Sequence, residues 1–176
     1  MNKILDYIRT IPDFPRKGIM FRDITTLINN PKGMELAINT GLEKIAHLNF
    51  DKIAGIEARG FIFGSIIASK LALGFVPIRK KGKLRSKVIS KDYVLEYGTE
   101  TIQIQHDAIK QGEKILIVDD LIATGGTAEA AIDLINEGGG IVAGCLFIIN
   151  LPDLKGVDKI KKRCEEVHYL CEFRGD

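Results

Sequence analysis

Short apolar runs alternate with amphipathic stretches along this chain, and the alternation predicts strand and helix in turn. Lys52 to Ile56, Phe75 to Ile78, Glu113 to Ile117 and Ile141 to Ile149 are of strand length, most of them apolar without interruption, as in strands buried on both faces. Between them the apolar period lengthens. A helix from Pro31, capped by Asn30, would turn Met34, Ile38, Leu42 and Ile45 inward. A second helix is expected from about Gly60 to Leu73, stopped by Gly74. A third carries Ala128, Ala131, Ile132 and Ile135, and a charged one lies near Val157 to Arg163. Residues 2 to 10 read as a short helix with Ile4, Leu5 and Ile8 on one face, which Pro12 and Pro15 break into a fixed loop from Ile11 to Gly18. Residues 79 to 99 are polar and read as a mobile loop, Glu100 to Gln105 alternates as a half-buried strand, and an edge strand is expected near Val167. The order of elements predicts an α/β fold with a central, mainly parallel sheet flanked by helices.

Composition narrows the class. With 176 residues, 45% apolar and 27% charged, and no repeat, linker or low-complexity segment, residues 1–176 read as one soluble domain. A net charge of +2 gives no global reason to expect nucleic acid or a membrane surface as partner. Cys145, Cys164 and Cys171 show no Cys-x-x-Cys spacing, and their odd number makes a poor disulfide framework. They read as reduced packing residues, which points to an intracellular setting. His47, His106 and His168 are scattered, with no His-x-x-x-His zinc pattern. No charged-then-apolar leader and no apolar run of about 18 residues occurs. The expected location is cytoplasmic.

The chemistry concentrates in residues 118–127, Val-Asp-Asp-Leu-Ile-Ala-Thr-Gly-Gly-Thr. The strand before them delivers Asp119 and Asp120 to its carboxyl end, where ligands of open α/β sheets sit. The turn Ala123-Thr124-Gly125-Gly126-Thr127 then enters a helix, whose free N–H groups and positive dipole end suit a phosphate. A plainer alternative makes the glycines a tight turn and Thr124 or Thr127 a helix cap. Two adjacent acids weigh against it, because neighbouring carboxylates repel and need a partner. Acids for sugar hydroxyls beside a phosphate cradle point to a sugar phosphate. The chain contains neither a Gly-x-x-x-x-Gly-Lys-Ser/Thr loop nor a Gly-x-Gly-x-x-Gly turn.

Three further segments belong to the same sheet edge. Glu57-Ala58-Arg59-Gly60-Phe61 follows the first parallel strand, with small Ala58 and Gly60 permitting close backbone approach to a ligand and Arg59 offering a fork to phosphate oxygens. Alone, it would be a turn with a solvated arginine. Arg79, Lys80, Lys81, Lys83, Arg85 and Lys87 put six cations into nine residues. Such a run is usually a solvated face. At this position it also suits a cationic hood over a diphosphate, with Lys80, Lys81 and Lys83 the best candidates. Leu95-Glu96-Tyr97-Gly98 is either an exposed turn or a movable acid–base group with a shielding tyrosine.

Residues 118–127 resemble the phosphoribosyl-diphosphate (PRPP) motif of the type I phosphoribosyltransferases. Nearly the whole chain is similar to the adenine-specific branch of that family. The similarity is carried by Pro12-Asp13-Phe14-Pro15, Phe21-Arg22-Asp23-Ile24, Gly55 to Phe61, Ile78 to Leu84 and Leu95 to Gly98, besides the PRPP motif. The first two segments and Leu-Glu-Tyr-Gly mark the adenine branch; the PRPP motif does not distinguish it.

The resemblance implies a type I phosphoribosyltransferase fold with a small N-terminal base-binding hood and a flexible loop. It implies transfer of a phosphoribosyl group from PRPP to N9 of adenine, Mg²⁺ accompanying PRPP without direct protein ligands, and a homodimer. Asp119 and Asp120 would hold the ribose, residues 123–127 the 5′-phosphate, and Ala58, Arg59, Lys80, Lys81 and Lys83 the diphosphate. Glu96 would manage the purine proton. Phe21 would stack on the base, the backbone around Met20 would read its edge, Arg22 would support the site, and Leu151 would be an apolar lid. Lys17 stands where the family commonly has proline, and Asn150 where it commonly has an acid. Two alternatives stand beside this reading. One is a family member acting on hypoxanthine, guanine, xanthine or orotate. The other is a non-catalytic PRPP-sensing regulator, although the residues before the first strand carry the base-loop motif and no helix-turn-helix.

Overall fold

In the computed structural model, which describes residues 3–94 and 98–175, a short 3₁₀ turn Ile4–Tyr7 leads into strand β1 (Arg9–Ile11). Strand β2 (Phe21–Asp23) and helices α1 (Thr25–Ile28) and α2 (Pro31–Ile45) follow. Next come β3 (Lys52–Ile56), α3 (Arg59–Leu71), β4 (Gly74–Lys80), β5 (Val88–Val94), β6 (Thr99–Gln105) and β7 (Lys114–Ile122). The chain ends with α4 (Gly126–Glu137), β8 (Ile141–Asn150), α5 (Gly156–Lys161) and β9 (Val167–Glu172). Strands β3 to β9 form a seven-stranded sheet of order β5-β6-β4-β3-β7-β8-β9. Its centre, from β4 to β9, is parallel, and the β5–β6 hairpin pairs antiparallel along the β4 edge.

The near-continuous apolar runs are explained by burial on both faces. Ile115, Leu116, Ile117 and Val118 of β7 are all wholly buried. Ile115 and Ile117 pack with α4 and α5, whereas Leu116 and Val118 pack with α2 and α3. Period-two alternation thus serves two cores at once. No helix among the described residues is long and apolar enough to cross a membrane.

Three expectations need correction. Residues 2–10 do not form one helix: after the 3₁₀ turn, β1 pairs antiparallel with β2. Strand pairing wins because Asp23 gathers the N-terminal segment. Its carboxylate accepts from the Arg9 guanidinium, from Thr25 Oγ1 at 2.6 Å and from Thr25 N at 2.9 Å. The Thr25 hydroxyl and Arg9 hold this carboxyl down at about 2. Helix α3 ends at Ala72, which adopts φ 54° while Leu73 N bonds back to Ala68 O at 2.9 Å; Gly74 instead opens β4. The polar stretch 79–99 contains β5, whose inward positions are Ile89, Lys91 and Tyr93. Lys91 reaches α4, with Nζ 2.6 Å from Glu137 Oε1 and 3.3 Å from Asp133 Oδ2, so a charged residue occupies a packing position.

Asn30 caps α2 as anticipated, its Oδ1 accepting from Lys32 N and Gly33 N at 3.0 Å each. Asn30→Ala strands both donors, and we expect a loss of about 1 kcal/mol in chemical denaturation. An unchanged denaturation midpoint would show that the cap contributes nothing.

Candidate active site

Strands β3 and β7 lie side by side at the centre of the sheet, and their connections diverge. From β3 the chain crosses through α3 to β4 on one side; from β7 it crosses through α4 to β8 on the other. The crevice beyond the carboxyl ends of two such strands is where open α/β sheets bind ligands. A cavity of about 270 Å³ opens there. Ala58 and Arg59 line it from the β3 turn, Lys80 from the end of β4, Asp119 and Asp120 from β7, and all of Ala123 to Thr127 from the next turn.

The acids do not terminate β7, which continues to Ile122, so their backbone is fixed by pairing with β8. Asp120 is buried and Asp119 half-buried. Asp120 N donates to Asp119 Oδ1 at 2.8 Å, and Arg59 Nε lies 3.0 Å from Asp120 Oδ2. Burial, and then the charge of Asp120, push the Asp119 carboxyl well above the usual carboxylate range. Burial also raises Asp120, with the Arg59 guanidinium pulling the other way. The pair can accept hydroxyl donors or positive charge, and gains from either.

Two glycines are required by contact. A Cβ on Gly60 would stand 2.6 Å from Val118 O and 3.0 Å from Asp119 Oδ1. Its small size therefore lets α3 meet β7 and leaves room for the Asp119 carboxylate; only Ala58 of that pair lines the cavity. Gly125 holds φ 82° just before α4 and abuts Gly156, where a Cβ would come within 2.2 Å of Ala123 O. The phosphate-type turn is thus seated on the start of α5. Gly126, Thr127 and Ala128, the first residues of α4, line the same cavity, where a helix has free N–H groups.

The cation run disperses. Arg79 Nε and Lys80 N both donate to Glu57 Oε2, at 2.9 and 2.8 Å. These bonds outweigh burial and keep the Glu57 carboxyl below its ordinary value. Lys80 Nζ lies 3.1 Å from Glu100 Oε1, while Tyr93 OH donates to Glu100 Oε2 at 2.8 Å. Burial and the Glu100 bond push the Tyr93 hydroxyl up to about 12. Tyr93 and Glu100 both line the cavity, and sequence reasoning missed them. Their signal was the inward phase shared by Ile89, Lys91 and Tyr93, hidden by the lysine-rich run. Lys81 and Lys83 are exposed and outside the cavity lining.

The base-side candidates form a separate group. Phe21 opens β2, edge-on to Phe14 at 5.2 Å, and the Arg59 guanidinium stands 6.0 Å from its ring centre. Arg22 is buried, donating from Nη1 to Thr10 Oγ1 at 2.9 Å and lying 4.5 Å over the Phe173 ring. Met20 is half-buried beside β2, and Leu151 is buried after β8, its N–H bonded to Ile122 O at 3.0 Å. None of Met20, Phe21, Arg22 and Leu151 lines the cavity of the acid pair. Glu96 lies outside the described residues.

Comparison with known proteins gives this geometry a family. Residues 26–172 match the phosphoribosyl transferase domain. The chain is 55% identical over 172 residues to the adenine phosphoribosyltransferase of Cereibacter sphaeroides, covering 98% of this chain and 97% of that protein. Among solved structures, the adenine phosphoribosyltransferase of Thermoanaerobacter pseudethanolicus superposes with a TM-score of 0.92 at 43% identity, over 97% of this chain and 98% of that one. The Saccharomyces cerevisiae enzyme, complexed with an imino-altritol bisphosphate and adenine, gives 0.88 at 36% identity over 95% and 96%. A switch-point cavity with an acid pair and a glycine turn, matched along nearly the full chain, places this protein in the phosphoribosyltransferase family.

Proposed function

We propose that this chain is an adenine phosphoribosyltransferase, with residues 1–176 acting as one domain, that converts adenine and PRPP to AMP and diphosphate. The observation that carries the reading is the convergence of Asp119, Asp120, Arg59, Lys80 and the Ala123–Thr127 turn on one cavity, in a chain so similar to enzymes of that name. In this reading the 5′-phosphate rests on the turn and the N-terminus of α4. The ribose hydroxyls donate to Asp119 and Asp120. Ala58, Arg59 and Lys80 face the diphosphate, with Lys81 and Lys83 as outer cations of the hood. Phe21, Met20, Arg22 and Leu151 serve the base, from the N-terminal ribbon and the end of β8.

The reaction forms the N9–C1′ bond and breaks the bond from C1′ to the diphosphate oxygen. Positive charge grows on the ribose as that bond lengthens, and the Asp119–Asp120 pair favours it electrostatically. Diphosphate leaves with the bonding electrons, and Glu96 takes the purine proton. The donor set fits a cation carried by substrate: Asp120 Oδ2 is ion-paired with Arg59, and Glu57 and Glu100 are occupied by Arg79, Lys80 and Tyr93, so the carboxylates around the diphosphate position already have partners. Bound with PRPP, Mg²⁺ supplies neutralisation of the diphosphate charge. We extend the family resemblance to a cytoplasmic homodimer. The buried free thiols Cys145, Cys164 and Cys171 accord with that compartment.

Adenine should exceed hypoxanthine and guanine in kcat/KM by at least about tenfold, or roughly 1.4 kcal/mol, because a 6-oxo group opposes a backbone acceptor. Equal or higher kcat/KM with hypoxanthine would reassign the base and leave the fold untouched.

Replacing Asp119 and Asp120 together by Asn should raise the KM for PRPP and lower turnover, each by roughly tenfold or more, since a hydrogen bond to a charged group is worth about 1.5–3 kcal/mol. Stability should move oppositely. Carboxyls raised by burial bind more protons folded than unfolded, so the parent loses stability as pH rises above the ordinary aspartate value of about 3.9. The Asn variant escapes that loss. Melting temperatures followed from pH 5 to 8 should favour the variant increasingly; wild-type kinetics with PRPP would make the acids structural.

Glu96→Gln keeps size but cannot exchange the proton, so the rate should fall by about 10²–10⁴. PRPP affinity should change little. Because loop closure can mask chemistry in the steady state, single-turnover measurement is decisive. An unchanged single-turnover rate removes Glu96 from the mechanism.

A further inference from the structure

Outside the catalytic cavity, the described residues contain one group of three potential metal ligands: His47, Glu166 and His168. His47 follows α2, Glu166 immediately precedes β9, and His168 lies within β9, the edge strand of the sheet. His47 Nε2 stands 3.1 Å from Glu166 Oε2, and His168 Nε2 stands 2.9 Å from the same oxygen. The imidazoles meet edge-to-face with centres 5.4 Å apart, and the ligand atoms of all three residues lie within 4.8 Å of one another. We propose that these three side chains form a binding site for a late first-row divalent cation such as Zn²⁺ or Ni²⁺.

The geometry carries this beyond a surface ion pair. Tetrahedral bonds of about 2.0–2.1 Å place ligand atoms roughly 3.3–3.4 Å apart. The observed nitrogen–oxygen separations, 3.1 and 2.9 Å, are shorter by only a few tenths of an ångström, and the ligand atoms of the two imidazoles lie within 4.8 Å of one another, so small side-chain rotations bring all three ligand atoms to one cation. Two neutral imidazoles and a carboxylate are donors that suit Zn²⁺, Ni²⁺ and Cu²⁺ and not Mg²⁺.

The backbone under the ligands is fixed. Glu166 O accepts from Cys145 N at 2.8 Å, and His168 is paired with Leu146 of β8. Gly144 lets the turn after α2 close on this edge: a Cβ there would meet Leu48 Cδ1 at 2.8 Å and Glu166 O at 3.2 Å. Side-chain exposures of 57% for His47, 43% for Glu166 and 21% for His168 leave the remaining coordination positions to water and make the ion exchangeable. The ion would join the end of α2 to the edge strand. None of the three residues lines the catalytic cavity, so phosphoribosyl transfer should not require it.

The test is calorimetric titration of the chelator-treated full chain with Zn²⁺ and with Ni²⁺, together with melting curves. One ion per chain should bind. His47→Ala and His168→Ala should each weaken binding at least tenfold and abolish the metal-dependent rise in Tm, with adenine transfer retained. His47 is the more exposed ligand, so His47→Ala keeps the test valid if His168→Ala disturbs β9. Cys164→Ser should bind as the parent does, which separates this site from thiol ligation. No binding to the parent, or equal binding to the parent and both histidine variants, would overturn the proposal.

Discussion

Two carboxylates on consecutive residues of a central, largely buried strand are the constraint around which this molecule is arranged. Each prefers water, each repels the other, and β7 allows neither to leave, since pairing with β8 continues past them and fixes the backbone beneath them. Side chains on consecutive strand residues point to opposite faces. Both nevertheless line the cavity, Asp119 half-buried and Asp120 buried against Arg59. The raised carboxyls are the energetic signature of a site that is incomplete without ligand. In the proposed reaction, hydroxyl donors and the positive charge of a ribosyl transition state would supply what the folded chain withholds. Such local instability is tolerated because the cores on the two faces of the sheet are large and independent of it.

The same constraint organises the neighbouring turns. Gly60 has no side chain, so α3 can start against Val118 O without striking Asp119. Gly125 and Gly156 bring two backbones together, so the turn after β7 is backed by protein where it would meet phosphate. Further out, Glu57 engages Arg79 and the Lys80 backbone, while Glu100 engages Lys80 Nζ and Tyr93. These acids hold the cations near the cavity mouth before any anion arrives. A diphosphate, with several charges, outcompetes one half-exposed carboxylate for a lysine, so the Lys80–Glu100 contact is exchangeable by simple electrostatics.

How much of this was legible in the sequence follows from which interactions are local. The parallel strands were legible because burial on two faces leaves an almost pure apolar run, and Lys52–Ile56 appears at the predicted bounds. Asn30 and Pro31 announced α2 because a cap is a contact across three residues. The acid pair and glycine turn were legible as adjacent residues on one strand-turn-helix unit. Strand β5 was not, since Lys91 fills an inward position only by meeting Asp133 and Glu137, more than forty residues away. Tyr93 and Glu100 escaped notice for the same reason. The β1–β2 ribbon depends on Arg9 finding Asp23, a long-range choice that overrides a locally plausible helix. Gly60 reads in sequence as room for a ligand, whereas the approach that requires its small size is to β7.

The two halves of the site have different mechanical support, and this bears on how they cooperate. The proposed sugar and phosphate contacts stand on the sheet and on α4, whose backbone is held by continuous ladders. The base-side residues Met20, Phe21 and Arg22 sit on or beside a ribbon of three-residue strands, anchored through Asp23 and Thr10. Arg59 spans the gap, with Nε 3.0 Å from Asp120 and its guanidinium 6.0 Å from the Phe21 ring. Hydroxyls bound at the acid pair compete for the carboxylate that Arg59 now neutralises. Whatever frees that guanidinium strengthens its attraction to diphosphate oxygens and to the aromatic face beside it, because a cation released from one partner interacts more fully with the next. In the proposed reaction, occupancy of the sugar subsite would thereby be coupled to the base side through one side chain.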